Sequence, residues 1–186
     1  MIREASIGDA EAIAVVHVRS WQAAYAGRLP QAYLDGLSVE RRRRVWNQIL
    51  AATDWPQTGT LVAEVEGNVA GFVSISPTRD GDQDPARVGE VGTIYVLAEA
   101  WGTGIGRALM RSALDRLTEA GYSAATLWVL DTNDRARHFY EAGPWRLDGA
   151  TKRDDERGFA IEEVRYACSL PVAGGATDGA PGSSRP

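Results

Sequence analysis

Disulfides, membrane helices and excess positive charge are all missing from this chain. Its one cysteine, Cys168, cannot form an internal disulfide. No apolar run approaches the roughly 20 residues of a membrane helix, and the N-terminus has no signal-peptide pattern. We therefore expect a cytoplasmic protein without a membrane partner. The net charge of -5 argues against a nucleic-acid partner and mildly favours a cationic substrate, and we expect no bound metal.

The length and composition are those of one globular domain. At 186 residues and 20.1 kDa, the chain can bury one core but is too short for two comfortable domains. We predict a single domain over residues 1–170. Residues 171–186 are rich in Gly, Ala, Ser and Pro and cannot bury enough surface to offset their ordering entropy, so we predict a disordered tail there.

The domain contains both strand and helix patterns, in the order strand, two helices, three strands, helix, strand, helix and two strands, so we expect an α/β (α+β) fold. The tight turn Glu66-Gly67-Asn68 predicts a hairpin, and Lys152–Arg157 reads as a charged loop. Predicted strands cover about 2–5, 60–65, 69–76, 88–97, 124–130, 145–148 and 160–169, and the main predicted helices lie before residue 24, after Ser38, and at about 105–117 and 133–142.

The most informative stretch runs from Gly89 to Met110, where an apolar strand leads into a glycine-rich turn and then a helix. Backbone N–H groups at a helix N-terminus bind phosphate. A Walker A loop is excluded because Gly106 is followed by Arg107-Ala108 and not by Lys-Ser/Thr. The dinucleotide fingerprint is also excluded, since its third glycine would stand at position 107.

Two motifs carry a resemblance to a known family. Trp101, Gly104 and Gly106 fit Gln/Arg-x-x-Gly-x-Gly/Ala, except that tryptophan stands at the first position. Residues 133–141 fit Asn-x-x-Ala-x-x-Phe-Tyr-Glu. Together they resemble the acyl-CoA loop and a later helix of the GCN5-related N-acetyltransferase (GNAT) superfamily. The resemblance implies a mixed central sheet of about six to seven strands flanked by about four helices.

The same resemblance implies acetyl-CoA as co-substrate and a primary amine as acceptor. Main-chain groups of the strand would hold the pantetheine arm, and the glycine turn would surround the pyrophosphate. Since Trp101 removes a polar side chain, Arg107 would supply charge instead. The implied donor-binding residues are Ile94, Tyr95, Val96, Trp101, Gly102, Thr103, Gly104, Ile105, Gly106, Arg107, Asn133, Ala136 and Tyr140.

Two side chains are the candidates for proton transfer. Glu90, at the start of the strand, resembles the general base of some GNAT enzymes, and burial would make it a stronger base. The alternative is an exposed loop residue, with water taking the base role. Tyr140 matches the family tyrosine that protonates the departing thiolate; its alternative is a core aromatic. Asn133 matches a pantetheine-binding residue and also fits a helix cap.

The acceptor is not specified by the sequence. Trp21 and Tyr25 on the first helix, with His17, are candidates for its binding site, and core packing is the alternative. We expect direct transfer in a ternary complex, because Cys168 lies outside both motifs. A protein terminus or lysine as acceptor, a noncatalytic acyl-CoA-binding module, and a homodimer all remain open.

Overall fold

The computed structural model describes residues 1–155 and 158–171, and the predicted tail from residue 172 onward lies outside them. Apart from the short helix α2, strands and helices follow one another in the order that the sequence predicted. In chain order the described elements are β1 (Ile2–Glu4), α1 (Ala10–Ala24), α2 (Gln31–Asp35), α3 (Val39–Ala51), β2 (Gly59–Val65), β3 (Asn68–Pro77), β4 (Val88–Val96), α4 (Ile105–Glu119), β5 (Ala124–Leu130), α5 (Asp134–Glu141), β6 (Arg146–Asp154) and β7 (Ile161–Ser169).

The seven strands form one mixed sheet in the order β1-β2-β3-β4-β5-β7-β6. Every neighbouring pair is antiparallel except β4 and β5, which are parallel and joined through α4. The parallel register covers only Val88–Glu90 against Ala124–Thr126. Beyond Glu90 the two strands separate, and the sheet opens at its centre.

Helices cover both faces of the sheet. On one face, α4 repeats apolar side chains about every four residues and buries them in one cluster with Val73 and Leu127. On the other face, α1 and α3 pack Ile13 and Trp46 against Phe72. The aromatic C-terminal part of α1 instead packs against β5 and β7, beside the opening between β4 and β5.

Two local predictions have opposite outcomes. The hairpin at Glu66-Gly67 is confirmed: both residues have positive φ, and Val65 pairs with Asn68. The predicted loop over Lys152–Arg157 is wrong for residues 152–154, which extend β6 to Asp154. Gly149 has a φ of +93° and lies where the register shifts, so the β6–β7 ladder continues past a bulge. Polar residues suit this position because β6 is an edge strand.

None of the helices within residues 1–155 and 158–171 has the length and apolar character that crossing a membrane requires.

Candidate active site

A cleft of about 380 Å³ occupies the opening between β4 and β5. Its walls come from α1, β4, the glycine turn, β5, α5, β6 and β7, so segments distant in sequence meet there. The lining includes Trp21, Tyr25, Glu90, Ile94, Tyr95, Val96, Trp101, Gly102, Gly104, Gly106, Arg107, Asn133, Ala136 and Tyr140. The described cleft lining thus contains every predicted site residue except Thr103, Ile105 and His17.

Thr103 and Ile105 stabilise the glycine turn without lining the cleft. The Thr103 hydroxyl donates to the carbonyl of Ala100 at 2.7 Å, which closes the turn on itself. Ile105 packs its side chain against the main hydrophobic core. Side-chain contacts with a ligand in the cleft are therefore not indicated for either residue, although their backbone N–H groups belong to the turn and the first turn of α4.

The free edge of β4 presents alternate backbone groups to the cleft. Leu97 N–H donates to Ala70 on β3 at 2.9 Å, which fixes which residues bond to β3. Since bonding alternates along an antiparallel pair, the backbone groups of Ile94 and Val96 point away from β3 and toward the opening. The Val96 carbonyl accepts from Trp101 Nε1 at 2.9 Å and from Ser20 Oγ at 3.1 Å.

The glycine turn forms an open cradle in front of α4. Gly102 and Gly104 have φ values of +78° and +93°, a conformation that L side chains rarely adopt. A Cβ built on either glycine would meet no atom within 4 Å, so the turn faces open space. Gly104 is also the N-cap of α4, where the first N–H groups of the helix lack intrahelical partners. Backbone donors and the positive end of the helix dipole converge there, and they suit a phosphate.

Arg107 and Arg135 border the same cradle. Among the described residues neither guanidinium has an ion-pair partner, whereas Arg43 and Arg44 on α3 both pair with Glu40. Arg135 lies over the Trp101 indole, with its guanidinium carbon 3.5 Å from the ring centroid. The sequence prediction did not include Arg135. Its position two residues after Asn133 is the signal that would have found it, because one helical turn holds both.

Glu90 is buried, so its alternative as an exposed loop residue is wrong. The residue is 4% exposed and lies where β4 and β5 begin to separate. Its carboxylate accepts from Arg79 Nη2 at 2.9 Å and from the Arg79 backbone N–H at 3.3 Å. The Arg79 side chain is 77% exposed, and the carboxylate raises the pKa of that guanidinium above its ordinary value. This counter-charge from the β3–β4 loop was not predicted.

Tyr140 and Asn133 face the cleft from α5. Burial raises the pKa of the Tyr140 hydroxyl well above its ordinary value, with Tyr95 and Tyr166 contributing, so this group stays protonated at neutral pH. Asn133 caps α5, because its Oδ1 accepts from Ala136 N–H at 3.2 Å. Burial raises the pKa of the Tyr25 hydroxyl, and the nearby Asn133 side chain partly offsets that effect. Asn133 therefore caps the helix and lines the cleft.

On α1, the three aromatic candidates separate into two groups. Trp21 and Tyr25 line the cleft and also belong to a buried cluster with Leu130, so packing and lining coexist. His17 does not line the cleft. Its Nδ1 accepts from Trp46 Nε1 at 3.2 Å, and burial lowers its pKa to about 3. His17 is a neutral core residue, as its alternative interpretation stated.

The far half of the cleft contains charged residues that sequence reasoning missed. Lys152 Nζ bonds to Glu163 at 3.2 Å and lies 4.3 Å from the Trp128 ring centroid. Register pairs Trp128 with Arg165 and Lys152 with Glu163, so all four side chains share one face of the sheet. The pairing of Lys152 with Glu163 was not predicted, because β6 was expected to end before Lys152.

Comparison with protein-family models gives a match to the family described as "Acetyltransferase (GNAT) family" over residues 17–143. This chain belongs to the GNAT family. Among curated proteins, the N-acetyltransferase YuaI of Bacillus subtilis (strain 168) is 32% identical over 164 residues, which cover 88% of this chain and 89% of YuaI.

Solved structures show the same GNAT fold. A PaiA N-acetyltransferase from Thermoplasma acidophilum in complex with coenzyme A matches with a TM-score of 0.71 at 19% identity, covering 91% of this chain and 98% of that one. YncA from Salmonella typhimurium, with acetyl-CoA, matches with a TM-score of 0.68 at 18% identity, covering 92% and 94%. The fold predicted from the two motifs is confirmed.

The GNAT family match covers one half of the cleft better than the other. Residues 17–143 include the glycine turn, Glu90 and Tyr140. Lys152 and Glu163 lie beyond the matched range.

Proposed function

We propose that this GNAT protein transfers the acetyl group of acetyl-CoA directly to a primary amine in a ternary complex. One observation carries the proposal: a single cleft brings together the open glycine cradle, the buried carboxylate of Glu90 and the protonated hydroxyl of Tyr140. These are a phosphate-binding surface, a proton acceptor and a proton donor, the three elements that aminolysis of a CoA thioester requires.

In this proposal the donor half of the cleft orients the thioester. The β4 edge bonds to the pantetheine arm as an added strand would, through the backbone groups of Ile94 and the N–H of Val96, because the Val96 carbonyl already accepts from Trp101 and Ser20. Backbone N–H groups of the glycine turn bind the pyrophosphate, and Arg107 adds positive charge. Asn133 and Ala136 border the arm from α5.

Glu90 accepts the proton of the acceptor ammonium, directly or through a water, and so frees the nitrogen lone pair. The neutral nitrogen attacks the thioester carbonyl, a C–N bond forms, and the C–S bond breaks as Tyr140 gives its proton to the departing thiolate. The new amide nitrogen then loses its second proton, which restores the Tyr140 hydroxyl directly or through a water. Cys168 takes no part, because it is buried outside the cleft lining and burial raises the pKa of its thiol to about 11.

We further propose that the acceptor carries a second positive charge. In the far half of the cleft lining, Glu90 pairs with Arg79 and Glu163 with Lys152. Outside the lining, next to Trp128, Arg165 pairs with three carboxylates, those of Asp80, Asp82 and Asp148. Five negative against three positive groups leave an excess of two negative charges. The net charge of the whole chain has the same sign. Such a surface attracts cationic amines and repels carboxylate-bearing ones.

Release of free CoA thiol across an amine panel tests both proposals. The sharpest pair is 1,4-diaminobutane against 4-aminobutanoate, which share a chain length and differ in the sign of one end group. We expect at least a tenfold higher kcat/KM for the diamine, and a preference for the amino acid would contradict the charge argument. Turnover confined to peptides would indicate a protein acetyltransferase. Tight acetyl-CoA binding with no turnover would indicate a noncatalytic module.

A further inference from the structure

Trp101 stands where the GNAT loop motif usually has Gln or Arg, and its contacts show what replaces that polar side chain. The indole N–H bonds to the Val96 carbonyl at 2.9 Å, which fixes the ring against the end of β4. The guanidinium of Arg135 stacks on the ring at 3.5 Å. One loop residue thus connects the end of β4 to the first turn of α5.

The stack leaves Arg135 available to a ligand. A guanidinium on an aromatic face keeps its N–H groups pointing outward in its plane, in the fork that matches two phosphate oxygens. The side chain is exposed, lines the cleft, and has no carboxylate partner among the described residues. Arg43 and Arg116, by contrast, are both engaged by glutamates. An unpaired, ring-supported guanidinium beside a phosphate cradle is itself suited to bind a phosphate group.

We propose that Arg135 is a phosphate-binding residue for the acyl-CoA donor and that Trp101 is the positioning residue that holds it. Arg135 on α5 takes the place of the polar side chain that the motif usually has at position 101, and the Trp101 indole holds its guanidinium. The inference rests on the proposed donor site and adds a residue to it. The ligand group is a phosphate of CoA, either the pyrophosphate or the 3′-phosphate.

Calorimetric titration with acetyl-CoA, without any acceptor, tests Arg135 independently of turnover. Arg135→Ala should weaken acetyl-CoA binding by about 10- to 100-fold, as expected for loss of a charge-assisted hydrogen bond. The control is Arg111→Ala, an exposed arginine of α4 outside the cleft lining, which should change binding less than twofold. Unchanged binding by Arg135→Ala would overturn the proposal.

Salt and a donor analogue identify the interaction. The ratio of the acetyl-CoA Kd of Arg135→Ala to that of the wild type should decrease between 50 mM and 500 mM salt, because salt screens a charge pair. A ratio independent of salt would mean that Arg135 acts by packing, against the proposal. With acetyl-3′-dephospho-CoA as the ligand, a Kd ratio close to one assigns Arg135 to the 3′-phosphate. An unchanged Kd ratio assigns it to the pyrophosphate.

A double-variant cycle tests the positioning role of Trp101. Trp101→Gln restores the usual motif residue but removes the ring, and we expect binding to weaken about 5- to 30-fold. Trp101→Phe keeps a ring face and should lose less. In the Arg135→Ala background, Trp101→Gln should cost no more than about twofold. A full additive loss there would show that Trp101 acts on the loop by itself and would overturn the positioning role.

Discussion

The carboxylate of Glu90 and the guanidinium of Arg79 form a hydrogen-bonded ion pair with a closest distance of 2.9 Å, in which the acid is buried and the base is exposed. Arg79 bonds through its side chain and its backbone N–H, so the carboxylate is held in place. This carboxylate is the group proposed to accept the proton of the acceptor ammonium. The pair connects the β3–β4 loop to the centre of the sheet.

Glu90→Gln should lower kcat by about 100- to 10,000-fold, since the amide cannot accept the proton of the acceptor. Its carbonyl can still accept from Arg79, so the fold and the affinity for acetyl-CoA should be retained. Steady-state kinetics and donor titration measure the two quantities. Glu162→Gln, an exposed neighbour on β7, is the control. Full activity of the Glu90 variant would assign proton removal to water or another group.

Tyr140→Phe should lower kcat by about 10- to 1,000-fold with little change in acetyl-CoA affinity. Because burial raises the pKa of Tyr140, its hydroxyl remains a proton donor across the neutral and mildly alkaline range. The wild-type pH–rate profile should therefore show no alkaline limb from this group below about pH 10. Tyr122→Phe is a matched control, since that tyrosine is also buried and lies outside the cleft lining. Equal effects of both variants would mean that Tyr140 only packs.

Gly104→Val should abolish measurable acetyl-CoA binding, because the new side chain projects into the open side of the cradle. Gly149→Val is a close control: both glycines have a φ of +93° and no atom within 4 Å of an added Cβ. Each variant should lose about 1–3 kcal/mol of folding stability from backbone strain. Calorimetry and thermal unfolding separate binding from stability. Comparable donor affinity in the two variants would contradict a phosphate role for the turn.

His17 should make folding stability fall as the pH drops below 6.5. Its pKa is lowered by burial and by Arg42 to about 3, so between pH 6.5 and 3 the unfolded chain binds a proton that the folded chain does not. The free energy of unfolding should decrease by up to about 1.4 kcal/mol per pH unit in that window. Urea unfolding at pH 7 and 5.5 measures the difference.

The only other histidine supplies the control for that measurement. His17→Gln should remove most of the pH-dependent loss, whatever it does to stability at pH 7, whereas exposed His138→Gln should retain it. The same slope in both variants would assign the pH dependence to other groups.

The donor half of the site was predictable because its information is local. Trp101–Gly106 supplies a turn, left-handed glycines and a helix start within six residues, and Asn133–Tyr140 lies on one short helix. The arginine on the Trp101 ring was missed because a contact between two such segments depends on how α4 and α5 pack. Each motif could be recognised in the sequence, but the contact between the two motifs could not be predicted from it.

The far half of the cleft was less predictable because its residues meet only through the sheet. Arg79, Trp128, Lys152 and Glu163 come from four places in the chain, and none of them stands in a motif. The prediction also ended β6 too early, since a polar edge strand lacks apolar alternation and its Gly149 bulge resembles a turn. Charge balance in the cleft could not be judged without that strand.

The sequence by itself determined the order of strands and helices, the glycine turn proposed to bind phosphate, the family resemblance and the two residues proposed for proton transfer. These follow from periodicity, glycine conformation and short spacings, which are properties of neighbouring residues. Tertiary structure alone decided that Glu90 is buried against Arg79, that His17 belongs to the core, and that Arg135 rests on Trp101. Burial and ion pairing depend on which distant segments meet around the opening between β4 and β5. The order of residues along the chain does not specify those contacts.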